Sequence, residues 1–244
     1  MKATRFLGFG GPLVVTALLL NAIVAHASGP YTGVGYDISY PQCKTPSSSL
    51  PTGNFGIVGV NYGRPFTTYT CFGALLAHAS AAGMPAPSLY INTAYSGAYR
   101  RNITPYCSQQ PQSMAWQIGC SEAESSWGYA GKPSSTAVFA WWLDVETANS
   151  WSTSNKSLNQ ATIQGAADRL LQLDPSVPVG VYSTQQSWAT ITGSTPTVVY
   201  TPLNTSGEWV AGALGSCATS NEFDGNPIWL SQFPNGGFDG DNAC

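Results

Sequence analysis

Two carboxylates close a largely apolar stretch of the chain. The segment Phe139–Glu146 ends in Asp144-Val-Glu146. Because side chains alternate along a strand, Trp142, Asp144 and Glu146 share one face, and the opposite face is wholly apolar. Neighbouring carboxylates raise each other's pKa, so one acid can stay protonated beside an ionised one. That combination is what acid-catalysed cleavage of a glycosidic bond requires.

Three further acids follow the same logic. Asp37 lies near the end of the predicted strand Val34–Ser39, and Asp239 and Asp241 follow the predicted strand Ile228–Gln232. In a parallel barrel, active sites lie at the carboxyl ends of the strands. We therefore expect these three acids to join Asp144 and Glu146 at one rim as catalytic candidates.

Two other interpretations of these acids remain open. An isolated Asp-x-Glu pair is often structural, held by backbone amides or an arginine. Asp239-Gly-Asp241-Asn242 also offers oxygen ligands for calcium, but it lacks the length and the closing Glu of an EF-hand loop. We expect neither a metal nor a cofactor.

Aromatic side chains near the strands suit a sugar ligand. Sugar rings present C–H faces to aromatic rings, while polar tips of Tyr and Trp meet hydroxyl groups. Packing in the core is the alternative role for each of them. The candidate substrate-binding residues are Tyr40, Tyr62, Tyr95, Trp142, Tyr182, Trp229 and Gln232.

Strands and helices alternate along the chain and must position these side chains. Runs rich in β-branched and aromatic residues predict eight strands: Val34–Ser39, Phe55–Asn61, Ser88–Asn92, Val138–Val145, Val179–Tyr182, Val198–Tyr200, Trp209–Gly212 and Ile228–Gln232. Helical periodicity predicts four helices: Cys71–Ala82, Gln112–Tyr129, Gln160–Leu173 and Gln185–Ile191.

This order predicts an α/β fold with a modified TIM-type barrel, (β/α)5(β)3, in which about five strand–helix units precede three strands joined by loops. Alternating strands and helices favour a parallel sheet, and the length suits closure into a barrel. A doubly wound open sheet is the alternative.

Composition narrows the function classes. Charged residues are 9% of the 244 residues, with nine Lys plus Arg against twelve Asp plus Glu. That balance excludes a polybasic nucleic-acid or membrane-surface binder. His26 and His78 are the two histidines of the chain, which argues against a histidine-based triad or a histidine-rich metal site.

The N-terminal segment is typical of an export signal. Lys2 and Arg5 precede an apolar stretch that ends in Ala25-His26-Ala27, which predicts a signal peptide over residues 1–27. An uncleaved membrane anchor is the alternative. Residues 28–244 then form one domain, which we expect to be a monomer that is secreted to the extracellular space or cell wall.

All six cysteines follow the predicted cleavage site. An even number in an exported chain predicts three disulfides, with 15 conceivable connectivities. A zinc site is the alternative, but the chain lacks Cys-x-x-Cys. The simplest scheme pairs neighbours along the chain: Cys43 with Cys71, Cys107 with Cys120, and Cys217 with Cys244.

At four places the chain resembles the glycoside hydrolase family 25 lysozymes. These are Asp37-Ile38-Ser39, Asp144-Val145-Glu146, Gly180-Val-Tyr-Ser183, and a Trp/Gln strand followed by an acidic turn near residues 229–241. The segments 56–63 and 89–93 lack the family's Lys-rich and Tyr-His patterns. The pattern Tyr40-Pro-Gln-Cys43 together with Gly56-Ile-Val-Gly-Val-Asn61 looks more like a divergent group of exported actinobacterial hydrolase-like proteins.

The resemblance implies hydrolysis of the β-1,4 bond between N-acetylmuramic acid and N-acetylglucosamine in peptidoglycan. It implies Glu146 as general acid and Asp144 as the group that orients the substrate's acetamido substituent. Asp37 and one C-terminal Asp would line the cleft. The partner would be a polysaccharide, without nucleic acid and without membrane once the signal is removed. A non-catalytic glycan-binding protein on a hydrolase fold is the main alternative, and a structural or toxin-like secreted protein is a further one.

Overall fold

The structure is a computed structural model and describes residues 29–244. The predicted signal peptide, residues 1–27, lies outside the described residues. In the described part, no helix has the length and apolar character needed to cross a membrane.

Eight strands form one closed barrel in chain order. They are β1 Val34–Ile38, β2 Gly56–Gly59, β3 Ser88–Asn92, β4 Trp141–Asp144, β5 Val179–Ser183, β6 Glu208–Val210, β7 Ile228–Asn235 and β8 Phe238–Ala243. Strands β1 to β7 run parallel to one another. Strand β8 closes the barrel between β7 and β1 and is antiparallel to both. The closed barrel excludes the open-sheet alternative.

Five α-helices lie between the strands: α1 Phe72–Ala79, α2 Pro105–Ser108, α3 Met114–Tyr129, α4 Lys156–Leu173 and α5 Gln185–Thr192. The four predicted helices correspond to α1, α3, α4 and α5. Polar side chains begin the longer helices, as where Ser113 Oγ accepts the Trp116 amide at 3.3 Å. Such caps satisfy amides that have no partner within the helix.

The number of strand–helix units differs from the prediction of about five. Within the described residues, the connection from β1 to β2 carries the 3-10 turns Tyr40–Lys44 and Ser47–Ser49 instead of an α-helix. The arrangement is therefore an α/β fold around an eight-stranded closed barrel rather than five complete β/α units. Pro41 and Pro46 flank or enter these turns, and proline disfavours a continuous helix there.

One predicted strand was wrong and one was missed. Val198–Tyr200 forms a loop with a single bridge between Thr195 and Val198. Val198 is 70% exposed, and β-branched residues favour a strand only where a packed face supports them. The eighth strand is instead Phe238–Ala243. A two-residue turn at Gly236 and Gly237, both with positive φ, makes this strand a hairpin with β7.

The strands separate two cores. Residues such as Trp141, Leu143 and Val145 pack outward against the helices, as their alternation predicts. A second cluster that includes Trp142, Trp209 and Leu230 fills the barrel interior. Side chains on the inner face of the strands are thus directed either into this core or, at the carboxyl ends, toward the open end of the barrel.

The predicted cysteine pairing is confirmed. The three disulfides join Cys43 to Cys71, Cys107 to Cys120 and Cys217 to Cys244, with Cα–Cα distances of 5.5, 5.9 and 5.5 Å. The described residues contain no free cysteine, so no thiol in that part remains for zinc.

Candidate active site

A cavity of about 170 Å³ opens at the carboxyl ends of the parallel strands. We call it the carboxylate cavity; its lining residues are Asp37, Tyr90, Asp144, Glu146, Tyr182, Trp209, Gln232 and Asp239. Four of these residues are acidic, and they come from β1, β4, the turn after β4, and β8. Four carboxyl groups in so small a space repel one another, so the cavity favours their neutral forms.

Asp144 is held from the neighbouring strand. Asn92 lies beside Asp144 in the register of β3 and β4, and its Nδ2 donates a hydrogen bond to Asp144 Oδ2. Asn61 in turn fixes the Asn92 backbone, donating from Nδ2 to the carbonyl and accepting from the amide, both at 3.1 Å. One oxygen of this carboxyl is therefore anchored, and the other, Oδ1, is buried without a hydrogen-bond partner in the described part of the chain.

Asp37 belongs to a second hydrogen-bonded chain. Tyr182 Oη donates to Gln232 Oε1 at 2.9 Å, and Gln232 Nε2 donates to Asp37 Oδ2 at 2.9 Å. Asp37 also lies opposite Asp239 in the antiparallel pair of β1 and β8. Side chains opposite each other in such a pair are close, which explains the repulsion between these two acids.

Glu146 lies just beyond the end of β4 and is partly exposed. Its backbone carbonyl accepts a hydrogen bond from Trp151 Nε1 at 2.8 Å, which fixes the turn while leaving the carboxyl free. Burial, followed by the charge of Asp239, raises the Glu146 pKa. A proton therefore persists on this accessible acid at higher pH than on a free glutamate.

The other acids of the cavity are shifted the same way. Burial, followed by the charge of Asp239, raises the pKa of Asp37 to about 7, although the hydrogen bond from Gln232 acts to lower it. Burial, then Glu146 and Asp37, raises the Asp144 pKa well above its usual range, against the hydrogen bond from Asn92. Burial also raises the Asp239 pKa. The cavity can thus hold and release protons near neutral pH.

The structure brings six of the predicted site residues to this cavity. They are Asp37, Asp144, Glu146, Asp239, Tyr182 and Gln232. Asp241 is on the same face of β8 as Asp239 but deeper. It pairs with Gly35, is fully buried, and accepts a hydrogen bond from Trp209 Nε1 at 2.8 Å. The expectation that Asp241 reaches the rim is therefore wrong.

The remaining aromatic candidates lie elsewhere. Trp142 is fully buried inside the barrel, where its Nε1 donates to Tyr31 Oη at 3.0 Å. Trp229 packs against Trp142, with 6.1 Å between the two ring centroids. Tyr40 and Tyr62 contact each other outside the cavity, with ring centroids 4.2 Å apart and ring planes tilted by 40°. Tyr95 is in the loop after β3, where its amide donates to Ser150 O. The structure places none of these five among the cavity residues.

Three residues of the site were not predicted. Tyr90 and Trp209 line the cavity, and Asn92 anchors Asp144. Tyr90 and Asn92 alternate on β3, and inward polar residues near a strand's carboxyl end were the signal for them. Trp209 forms the floor, between the cavity and Asp241.

The described residues offer no ready metal site. Among residues 29–244, no group of three or more His, Cys, Asp or Glu side chains is placed to hold a metal ion. Asp239 and Asp241, the suggested calcium ligands, lie at different depths of the barrel. The hydrogen bond from Trp209 also engages one oxygen of Asp241.

Comparison with solved structures gives matches of low sequence identity. The modular autolysin LytC from Streptococcus pneumoniae, in complex with a synthetic peptidoglycan ligand, has 13% sequence identity and a TM-score of 0.49. That comparison covers 86% of this chain and 46% of LytC. The modular Cpl-1 endolysin, complexed with a peptidoglycan analogue, also has 13% identity. Its TM-score is 0.44, with 86% of this chain and 53% of the endolysin covered. The chain thus spans about half the length of these proteins.

Comparison by sequence gives a closer assignment. None of the curated protein sequences matches the chain. The family model described as lysozyme-like protein 1 matches residues 87–223, which is more than half of the chain. The matched region runs from just before β3 to the loop after β6 and so includes Asn92, Asp144, Glu146 and Tyr182. The chain therefore belongs to the lysozyme-like protein 1 family.

Proposed function

We propose that this chain is a secreted glycoside hydrolase that cleaves cell-wall glycan at the β-1,4 bonds of peptidoglycan. The observation that carries the proposal is the convergence of four carboxyl groups with raised pKa values in one cavity at the carboxyl end of the barrel. Perturbed acids in a cleft are a mark of acid–base catalysis. Membership of a lysozyme-like family and the resemblance to glycoside hydrolase family 25, in its divergent exported form, support the same assignment.

Each acid has a distinct proposed role. Glu146 is the general acid, since it is the accessible carboxyl whose raised pKa keeps a proton available for the leaving oxygen. Asp144 orients the substrate's acetamido group, with Oδ2 held by Asn92 and Oδ1 free of a protein partner within the described residues. Asp37 and Asp239 line the cavity and sustain the raised pKa values by their charge.

Export is part of the proposal. The basic and apolar start of the chain is typical of a signal peptide. Three disulfides suit an oxidising compartment outside the cytoplasm. The N-terminus of the mature protein is then near Ser28, which mass analysis of the exported protein would establish.

The deciding experiment compares purified mature protein with its Glu146→Gln variant on peptidoglycan and on chitin-type oligomers, measuring released reducing ends. The amide keeps the size of Glu146 but cannot donate a catalytic proton. We expect turnover to fall by about 10² to 10⁴-fold, with glycan binding retained. Glu124→Gln, which changes the same residue type outside the barrel, should keep the parent rate.

The result separates this proposal from a non-catalytic glycan-binding protein. A binding protein would release no reducing ends in the parent, and Glu146→Gln would alter affinity alone. Full activity in Glu146→Gln would assign the proton donor to another residue of the cavity, with Asp239 the next candidate.

A further inference from the structure

A second cavity lies beside the carboxylate cavity at the same end of the barrel. We call it the tyrosine groove; its volume is about 540 Å³, and its lining includes Tyr40, Lys44, Tyr62, Thr68, Tyr69 and Thr70. It is formed by the 3-10 turn after β1 and the loop after β2. The Cys43–Cys71 disulfide joins these two segments, so the walls of the groove are covalently tied together.

The two cavities share a thin wall. Tyr69 Oη donates to the Gly59 carbonyl. A Cβ on Gly59 would come within 2.7 Å of Tyr90 Oη and 2.8 Å of Ser39 Cβ. Tyr90 lines the carboxylate cavity and Tyr69 lines the groove. The carboxylate cavity and the tyrosine groove are therefore neighbours on the β1–β3 side of the barrel.

The carboxylate cavity by itself is too small to hold an extended ligand. Ligand pockets are typically about 300–1,000 Å³, and the carboxylate cavity has about 170 Å³. The tyrosine groove, at about 540 Å³, is within that range. A polymeric glycan must therefore be held by surfaces outside the carboxylate cavity, and the groove is adjacent and large enough.

Charge distinguishes the two cavities further. Four acids line the carboxylate cavity, so an anionic substituent is disfavoured there by burial and by whichever of these acids is ionised. The lining of the tyrosine groove holds the exposed ammonium of Lys44 and no acid. Within residues 29–244, Lys44 forms no ion pair. An anion excluded from the first cavity finds an unoccupied cation in the second.

The aromatic pair suits a sugar ring. Tyr62 is 49% exposed and rests on Tyr40, with ring centroids 4.2 Å apart. The support from Tyr40 fixes the Tyr62 ring without covering it fully. Thr68 and Thr70 add hydroxyl groups within the same groove, which can meet the hydroxyls of a sugar.

We propose that the tyrosine groove is an accessory subsite for a sugar unit whose substituent carries a carboxylate. Tyr62 contacts the ring and Lys44 pairs with the carboxylate. This rests on the proposed function, because it assigns the groove to the same glycan. The carboxylate can belong to an ether-linked acid on the sugar or to a peptide attached to it, and both present the same charge to Lys44.

The test measures binding in the Glu146→Gln background, so that the ligand is not consumed. The probes are oligosaccharides of matched length. One is a neutral chitin-type oligomer, and one carries free lactyl carboxylates. Two more carry peptides, with the peptide carboxylates either free or amidated. Lys44→Met should weaken binding of the carboxylate-bearing probes about 2- to 5-fold at low salt, as for an exposed ion pair. The loss should shrink at high salt, and neutral probes should bind unchanged.

Two variants complete the design. Tyr62→Ala should weaken all probes, by about 2- to 10-fold, because it removes the aromatic platform. Lys132→Met, which removes an exposed lysine after α3, is the matched control and should bind every probe as the parent does. Comparing free and amidated peptides, and lactyl carboxylates alone, shows which carboxylate reaches Lys44.

The outcomes separate this inference from the proposed function. If the parent hydrolyses glycan but Lys44→Met and Tyr62→Ala bind every probe unchanged, the subsite is refuted and the hydrolase stands. An equal loss of binding affinity in Lys44→Met and Lys132→Met also refutes the subsite, because the loss then reflects the net charge of the protein and not a contact in the groove. If binding depends on Lys44 while wild-type protein releases no reducing ends, the subsite stands and the hydrolase assignment fails.

Discussion

At the scale of single residues, the buried position of Asp37 in the cavity lowers the stability of the fold at high pH. Its pKa is raised from 3.8 to about 7, so the folded state binds more protons than the unfolded state between these values. The stability that this group contributes is complete below about pH 4 and is lost as the pH rises through about 7. Asp37→Asn removes the titration and should stabilise the fold at pH 8 by on the order of 2 kcal/mol.

Thermal unfolding at several pH values checks this prediction. The gain in Tm of Asp37→Asn over the parent should be large at pH 8 and should vanish near pH 4. Asp174→Asn, which removes a carboxyl at the end of α4 outside the barrel, controls for the loss of one negative charge. A gain for Asp37→Asn that is the same at all pH values would contradict the assignment.

Asn92 is the second residue with a specific consequence. Its hydrogen bond to Asp144 opposes the rise in the Asp144 pKa caused by burial and neighbouring acids. Without that bond, Asp144 holds its proton to higher pH. Asn92→Ala should therefore lower kcat/KM by about 10- to 100-fold, the worth of a hydrogen bond to a charged group. It should also shift the acidic limb of the pH–rate profile to higher pH.

The pH–rate profile distinguishes positioning from a general structural defect. Asn221→Ala, which alters an amide in the loop after β6 with a weaker 3.4 Å contact, should leave the profile where it is. An Asn92→Ala profile that falls in height without moving along the pH axis would show that Asn92 does not tune Asp144.

At the scale of elements, helices α3 and α4 pack by close approach of their backbones. A Cβ on Gly119 would lie 1.8 Å from the Thr162 carbonyl oxygen, and one on Gly165 would lie 2.1 Å from the Trp116 carbonyl oxygen. Backbone atoms cannot rotate away, so the helices would have to separate. Gly119→Ala should destabilise the fold by about 1–3 kcal/mol.

The same helix supplies the control. Gly128 lies near the end of α3 with no atom within 4 Å of an added Cβ. Gly128→Ala should therefore be neutral or stabilise by up to about 1 kcal/mol, because alanine is the better helix former. Chemical denaturation of both variants tests the pair, and equal effects in the two would refute the packing argument.

At the scale of the whole molecule, closure of the barrel depends on β8 and its terminal disulfide. Cys217–Cys244 ties the end of β8 to the loop after β6, over a separation of 27 residues. A variant with both cysteines changed to Ser should lose about 2–4 kcal/mol of stability. For a chain of this size that corresponds to a fall in Tm of roughly 4–16 °C.

Activity separates this bond from the others. Strand β8 carries Asp239 into the carboxylate cavity, so loss of Cys217–Cys244 should reduce turnover as well as Tm. Loss of Cys107–Cys120, which joins α2 to α3 over 13 residues, should cost less stability and spare turnover. Unchanged activity without Cys217–Cys244 would show that β8 is held by its strand pairing alone.

The sequence by itself determined the faces of the strands and the local bonds. Strict alternation assigns Asp37 and Asp144 to the interior of the barrel and Trp141 to the helices, because parity along a strand is a local property. Pairing of cysteines that are neighbours along the chain was the simplest of the 15 connectivities that the sequence allows, and the structure confirms it. The Asn235-Gly236-Gly237 segment also contained a hairpin signal, and recognising it would have identified β8.

Only the tertiary structure decided how deep each inward residue lies. Asp239 and Asp241 share one face of β8, as do Trp142 and Asp144 on β4, yet Asp241 and Trp142 are buried in the barrel while their neighbours reach the cavity. Depth depends on the stagger between neighbouring strands around the closed barrel. That stagger is set by long-range pairing, such as Asp37 with Asp239 and Asn92 with Asp144, and no local pattern in the sequence records it.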